Sequence, residues 1–421
     1  MLTKLNSFRL IKGERIIDAK GGDVLERGAI LLQGDKIISI GREEDVIPPE
    51  GSQVEEIVYE NKTVLPGLVD CHVHLNGIGD GRKGDQLNLL PDEILTLQAA
   101  KNARTHLFSG VTTVRDCGAK NSTTLRLREA VEMGITVAPK LVLAGRPMAI
   151  IGGHLWWFGI QATGPNECRA HVRQLVKEGV DFIKITASGG STGTSVPLRP
   201  SFNLEEMNAI VDEAHKFGKH TAAHCTNSQS MINALDAGID TIIHGVYNEP
   251  DGDRSYRPDI TERIVDQGVF LNPTIHQSRE RIWQLEEKSQ NQKLNPEEVE
   301  ELNTTKEGHE QRIEEVSKMW EAGVKIVCGS DSAWANYKMG RFQADINSHI
   351  SIGMSPMEAI LSATNLSAQS CCIDDQVGTL EVGKNADILV VEGDPSKNID
   401  DLWNIVDIYQ DGNLIDRGNY I

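Results

Sequence analysis

Paired cysteines are missing from this chain of 421 residues. Its seven cysteines (Cys71, Cys117, Cys168, Cys225, Cys328, Cys371 and Cys372) form no C-x-x-C unit, and an odd count leaves at least one unpaired. That argues against a disulfide framework and for reduced thiols, with a cytoplasmic location expected. Basic charge is scarce too. The chain has 42 Lys and Arg against 61 Asp and Glu, and the net −19 repels phosphate backbones and anionic lipid. The expected partner is a small-molecule substrate, not nucleic acid or a membrane. Long apolar runs are also lacking. Residues 1–18 hold no apolar signal core, and the most apolar window, 143–162, is interrupted by Arg146, His154 and glycines. What is present is an ordinary globular balance, 39% hydrophobic and 24% charged, able to bury a large core.

Short apolar runs punctuated by Gly, Asp and Asn fill the first sixty residues, at 15–18, 28–41 and 54–58. They read as strands joined by tight turns, and the same style returns at 386–391 and 405–415. Gln33-Gly34-Asp35-Lys36 and Gln410-Asp411-Gly412-Asn413 are hairpin-like. The two ends, 1–63 and 371–421, are expected to form one small β-sandwich domain. Between them, strands at 64–69, 111–116, 140–144, 181–186, 219–224, 240–244, 268–272 and 324–329 alternate with helices. The clearest helices are 92–108, 167–178, 204–217, 228–237 and 356–370. Eight such units predict an α/β fold, a (β/α)8 TIM barrel over 64–370, with its site at the strand ends. The charged stretch 276–319 reads as a helical insertion whose charges form a solvated face.

Residues i and i+2 of a strand share a face, so His72 and His74 in Leu68-Val69-Asp70-Cys71-His72-Val73-His74 stand side by side. Two adjacent imidazoles suit a divalent ion, although packed histidines are the plainer alternative. Other predicted strands end likewise. His224 closes His220-Thr221-Ala222-Ala223-His224, His244 closes Thr241-Ile242-Ile243-His244, and Asp331 follows Cys328-Gly329-Ser330. Lys184, in Phe182-Ile183-Lys184-Ile185, is costly to bury charged. It is either ion-paired or a neutral amine that takes up CO2 to form a carbamate, and the neighbouring histidines favour the second. The six residues make a nitrogen and oxygen set suited to two Zn2+-like ions. His220 shares the parity of His224 one layer deeper and is assigned to structure; Cys71 and Cys225, pointing away, are assigned to packing. Trp156, Trp157 and Phe158 either line a substrate or close the barrel rim. Arg199 either meets an anionic substrate end or is solvated. The loop 189–195 lacks a P-loop lysine.

These motifs, together with Gly378-Thr379-Leu380-Glu381-Val382-Gly383-Lys384-Asn385-Ala386-Asp387, resemble the amidohydrolase superfamily in its binuclear, carboxylated-lysine subtype. Within it, the chain is similar to prolidase-like Xaa-dipeptidases, ochratoxinase-like amidases and imidazolonepropionase-related hydrolases. The resemblance implies that His72, His74 and Asp331 hold one Zn2+ and that His224 and His244 hold a second. Lys184, as N6-carboxylysine, would bridge them. It also implies a shared hydroxide as nucleophile, Asp331 as its proton acceptor, and His154 as donor to the substrate carbonyl. The implied activity is cleavage of an amide C–N bond in a dipeptide, N-acyl amino acid or bulky aryl amide. A carbamate or phenylurea hydrolase is the alternative, and a non-catalytic scaffold the distant one. Dipeptidase relatives carry an aromatic soon after the strand-five histidine. Cys225-Thr226-Asn227-Ser228 has none, which argues against a free substrate α-carboxylate. The resemblance also implies a homo-oligomer.

Overall fold

The run Val64-Leu65-Pro66-Gly67-Leu68-Val69 is continuous in hydropathy yet divides between two sheets. The computed structural model describes residues 7–334 and 336–418. It opens with β1 (Ser7–Ile16), β2 (Leu25–Gln33), β3 (Lys36–Arg42) and β4 (Gln53–Pro66). Strand β4 stops at Pro66, and Gly67 N donates to Asp387 O at 2.9 Å. A Cβ at position 67 would collide with the Thr112 side chain, so glycine is needed where the chain crosses over. The next strand, β5 (Leu68–Val73), starts the barrel. The expected single strand over 64–69 is thereby corrected. Where the two strands meet, both are buried, so neither alternates and hydropathy does not mark the handover.

The barrel continues with β6 (Val111–Asp116), β7 (Lys140–Leu143), β8 (Met148–Ala149), β9 (Ile160–Gln161) and β10 (Phe182–Ile185). It ends with β11 (His220–Cys225), β12 (Thr241–His244), β13 (Phe270–Asn272) and β14 (Lys325–Ile326). Parallel pairing gives two arcs, β5-β6-β7 and β14-β13-β12-β11-β10-β8-β9. Backbone bonds seal both seams. Asp181 N donates to Leu143 O at 2.8 Å, while Cys71 N reaches Cys328 O at 3.2 Å and Asp331 N reaches His72 O at 2.7 Å. The eight-stranded α/β barrel expected from sequence is present. Its eighth strand pairs regularly over only two residues, then follows β5 by isolated bonds as far as Ser332.

The chain closes with β15 (Ile388–Glu392), β16 (Ile405–Gln410) and β17 (Asn413–Leu414). These join the opening strands in one sheet, ordered β17-β16-β15-β4-β1-β2-β3. Ile37 N to Lys384 O at 3.0 Å and Ala386 N to Asp35 O at 2.8 Å curl it back on itself. Ile11, Ile16, Ile30, Leu32, Val64 and Ile388 fill the enclosed core of this β-sandwich.

Two helical expectations change. The helix expected over 356–370 is split into Pro356–Ser362 and Asn365–Ser370. Ser362 O and Ala363 O are taken by Cys328 N at 2.9 Å and Val69 N at 2.8 Å, and these barrel bonds outcompete helical continuity. The charged stretch is a hairpin of helices, His276–Asn291 and Pro296–Glu321. The second starts at a capping box in which Asn295 and Glu298 satisfy each other's N–H groups at 2.9 and 3.0 Å. Its charges are not all solvated, because His276, Glu280, Arg312 and Glu315 are buried against the barrel. No described helix is long and apolar enough to cross a membrane.

Leu389 packs with Leu65, Leu68, Val111 and Val391 where sandwich meets barrel. Leu389→Ala is expected to cost about 2–5 kcal/mol, read by chemical denaturation, without altering bound metal.

Candidate metal centre

Each of the six candidate ligands stands at or just beyond a strand end, and the structure brings all six together. Asp331 is the hub. Its Oδ1 lies 3.3 Å from His72 Nε2 and 3.4 Å from His74 Nε2, and its Oδ2 lies 4.0 Å from His244 Nε2. Lys184 Nζ is 3.4 Å from His72 Nε2, and the His224 and His244 rings are 4.5 Å apart. All are buried except His244, which is partly so.

The outer ring nitrogens decide where the lone pairs point. A carbonyl only accepts, so His74 Nδ1–H donates to Gly118 O at 2.9 Å. Asn272 gives its amide to Gly329 O at 3.0 Å, which turns its Oδ1 toward His72 Nδ1 at 2.9 Å. Both histidines therefore present a bare Nε2 to Asp331. His224 is reversed: its Nε2–H donates to Gly189 O at 3.1 Å, leaving Nδ1 free. His244 Nδ1 pairs with Thr274 Oγ1 at 2.8 Å.

Burial sets the charge states. It drives His72, His224 and His244 well below the usual imidazole range and His74 to about 3. It also lowers the Lys184 amine and pushes the Asp331 carboxyl up to about 7. Neutral imidazoles with inward lone pairs beside a carboxylate form a donor set suited to a cation. The residues present therefore fit divalent ions. The backbone is strained at two of them. His244 and Asp331 sit at φ of 65° and 52°, the left-handed region that suits glycine. Arg312 holds the first in place, donating to Gly245 O at 3.0 Å, Pro273 O at 3.3 Å and His244 O.

His154 is buried beside this cluster, its ring 4.5 Å from that of His224 and its Nδ1 3.0 Å from Thr192 Oγ1. A Cβ at Gly190 would stand 2.6 Å from His154 Cε1, so the loop can pass over the imidazole only as glycine. Trp157 and Phe158 are buried with Leu87 and Leu155, whereas Trp156 and Trp334 are partly exposed. Arg199 is exposed and makes no side-chain bond among the described residues. His220 is not a deeper layer of the site. As the first residue of β11 it lies at the opposite end of the strand, its side chain 46% exposed and 3.9 Å from Asp240.

Sequence reasoning missed several supporting groups. Gln277 donates to Asp331 Oδ2 at 2.9 Å from the start of the charged hairpin, where no periodic signal sets it apart. Trp334 lies 4.9 Å from the His74 ring, and Asn272 ends β13 and Thr274 follows it in a strand end with no ligand-type residue. Asp70, two residues before His72, stands in the sequence only as a neighbour of the H-x-H motif.

Residues 63–415 match the model of the Amidohydrolase family. Ochratoxinase from Aspergillus niger is 25% identical over 406 residues, covering 89% of this chain and 79% of that one. The crystal structure of an Xaa-Pro dipeptidase with methionine bound in its active site superposes with a TM-score of 0.81 at 30% identity. That match covers 97% of this chain and 99% of the dipeptidase. Phenylurea hydrolase B superposes with the same TM-score, 0.81, at 22% identity over 97% of each chain, a likeness of fold alone. The chain belongs to the amidohydrolase family.

Proposed function

We propose that this protein hydrolyses an amide C–N bond at a binuclear centre of divalent ions, Zn2+ foremost. One observation carries the reading: in a buried site, Nε2 of His72 and of His74 lie 3.3 and 3.4 Å from Asp331 Oδ1, with their lone pairs inward. These three would hold one ion and His224 with His244 the other. Lys184 would bridge them as a carbamate, formed when its neutral amine adds CO2 and releases a proton. Ions bound there would acidify a water and polarise the scissile carbonyl. Asp331 would take the proton of the attacking water and return it to the leaving nitrogen, with Gln277 fixing its second oxygen. His154 would donate to the carbonyl oxygen as it gains charge. The ochratoxinase and Xaa-Pro dipeptidase relatives support amides and dipeptides as substrates. The aromatic cluster around Trp156 supports a bulky apolar group beside the amide.

Metal analysis is expected to find about two equivalents of divalent ion in this centre. Lys184→Ala should lose most of that metal and most activity, with a short carboxylic acid restoring part of both. Full activity in Lys184→Ala would remove the bridging role. Gln277→Ala should keep its metal but lose about 10–100-fold in kcat, the worth of one hydrogen bond to a charged group.

For the substrate, dipeptides, N-acyl amino acids and aryl amides bearing a large apolar group should turn over faster than ureas and carbamates. A panel of all five classes decides this. Turnover of ureas or carbamates alone would replace the amidase reading with its alternative. Trp156→Ala should raise KM on the best amide more than it lowers kcat.

A further inference from the structure

A second group of ligand-type side chains lies between the eighth strand and the helix Phe342–Ser348 that follows it. Cys328, Asp345 and His349 are fully buried, and one donor atom from each lies within 4.8 Å of the others. None belongs to the centre described above. Asp345 and His349 are four residues apart across a helical turn, which sets them on one face toward Cys328.

Hydrogen bonding fixes the tautomer of His349. Ser362 Oγ has one proton and donates it to Ala359 O at 2.7 Å. Its contact with His349 Nδ1 at 2.9 Å must therefore run the other way, from Nδ1–H to the hydroxyl oxygen. That leaves Nε2 a bare lone pair, buried and without a hydrogen-bond partner among the described residues. An unsatisfied acceptor in such a place is costly. Beside it the Cys328 thiol donates to Asp345 Oδ2 at 3.0 Å, and the other Asp345 oxygen receives a long bond from His276 N at 3.4 Å.

We propose that Cys328, Asp345 and His349 form a separate structural metal site for a Zn2+-type ion. Thiolate, carboxylate and imidazole together are a zinc-type donor set, with the second Asp345 oxygen available as a fourth donor. Loss of the Cys328 proton gives two negative charges against the two positive charges of the ion. The site is then neutral among Phe342, Ile346, Ala359 and Ile360. Ser362, anchored on Ala359, is the outer group that orients the imidazole. The ion ties the eighth strand, three residues before Asp331, to the helix behind it.

Cobalt discriminates this site from the other centre, whose ligands include no sulfur. Full-length protein produced with Co2+ in place of Zn2+ should show thiolate-to-cobalt charge-transfer absorption in the near ultraviolet. It should also carry one equivalent of Co2+ beyond the catalytic complement. Cys328→Ser and, separately, His349→Gln should lose both the band and that equivalent. Lys184→Ala should retain both, so this site is judged independently of the proposed catalytic centre. Cobalt-loaded wild-type protein without the band would overturn the proposal, as would a band that survives in Cys328→Ser. Should Cys328→Ser not fold, the wild-type spectrum and His349→Gln decide the matter.

Discussion

Asp70 is a carboxylate with no access to solvent, and four donors converge on it. His72 N and Ser330 N reach Oδ1 at 3.1 and 3.0 Å; Ser330 Oγ and His106 Nε2 reach Oδ2 at 2.6 and 2.9 Å. Gly340 N donates to the other nitrogen of His106 at 3.1 Å, so the Nε2 that faces Asp70 carries the proton. This one side chain thus fastens the first barrel strand, the loop bearing Asp331, and the helix Asp92–Phe108. A parallel barrel must close between its first and last strands, and here the last strand has only two regularly paired residues. The carboxylate supplies at the seam what the short ladder does not. His72, His74 and Asp331 all stand on that seam, so their mutual distances follow from it.

The same dryness that makes Asp70 effective makes the neighbouring cluster expensive. Four imidazoles, an amine and a carboxylate are packed where water is excluded, and burial is the first cause of every resolved shift among them. A site of this kind is held together by its surroundings. Gly118 O, Asn272, Gly189 O and Thr274 each occupy one outer nitrogen, and Arg312 caps the backbone at His244. Positive φ at His244 and Asp331 shows the cost reaching the main chain. Such strain persists where the side chain is needed more than the relaxed backbone.

How much of this could be read from sequence follows from what leaves a periodic trace. Strand ends, helix caps and the i, i+2 histidines do, so the barrel, the helix Asp92–Phe108 and the candidate ligands were legible. Groups that act through a single hydrogen bond do not. Gln277 lies in the polar run His276-Gln277-Ser278-Arg279-Glu280 with nothing in sequence to set it apart, and Asn272 gains its meaning from the Gly329 carbonyl beyond the neighbouring strand. His220 misled for a related reason. Strand parity says which face a residue shares but not which end of the barrel it occupies, and the first residue of β11 lies at the far end. The handover at Gly67 was hidden because both strands it joins are buried there and apolar.

Two kinds of element meet at the barrel mouth, and their physical properties divide the work. The ligands sit on or next to strands whose backbone bonds and buried partners leave little freedom, which suits a set of atoms that must stay within a few tenths of an ångström. The walls come from loops. Trp334 packs 4.9 Å from His74 and 5.8 Å from Phe158, and Phe158 lies 6.1 Å from Trp157. One contiguous aromatic surface therefore runs from a candidate metal ligand to the rim. Apolar burial is non-directional, so such a wall selects for size and shape and not for the identity of the bond attacked. The charged hairpin is the exception among the loops. It reaches the carboxylate of a candidate ligand through Gln277, while Arg312 braces the strand end at His244. Variation in that hairpin would change reaction rate as well as substrate choice, whereas variation at Trp156 and Trp157, away from His154, would act mainly on substrate choice.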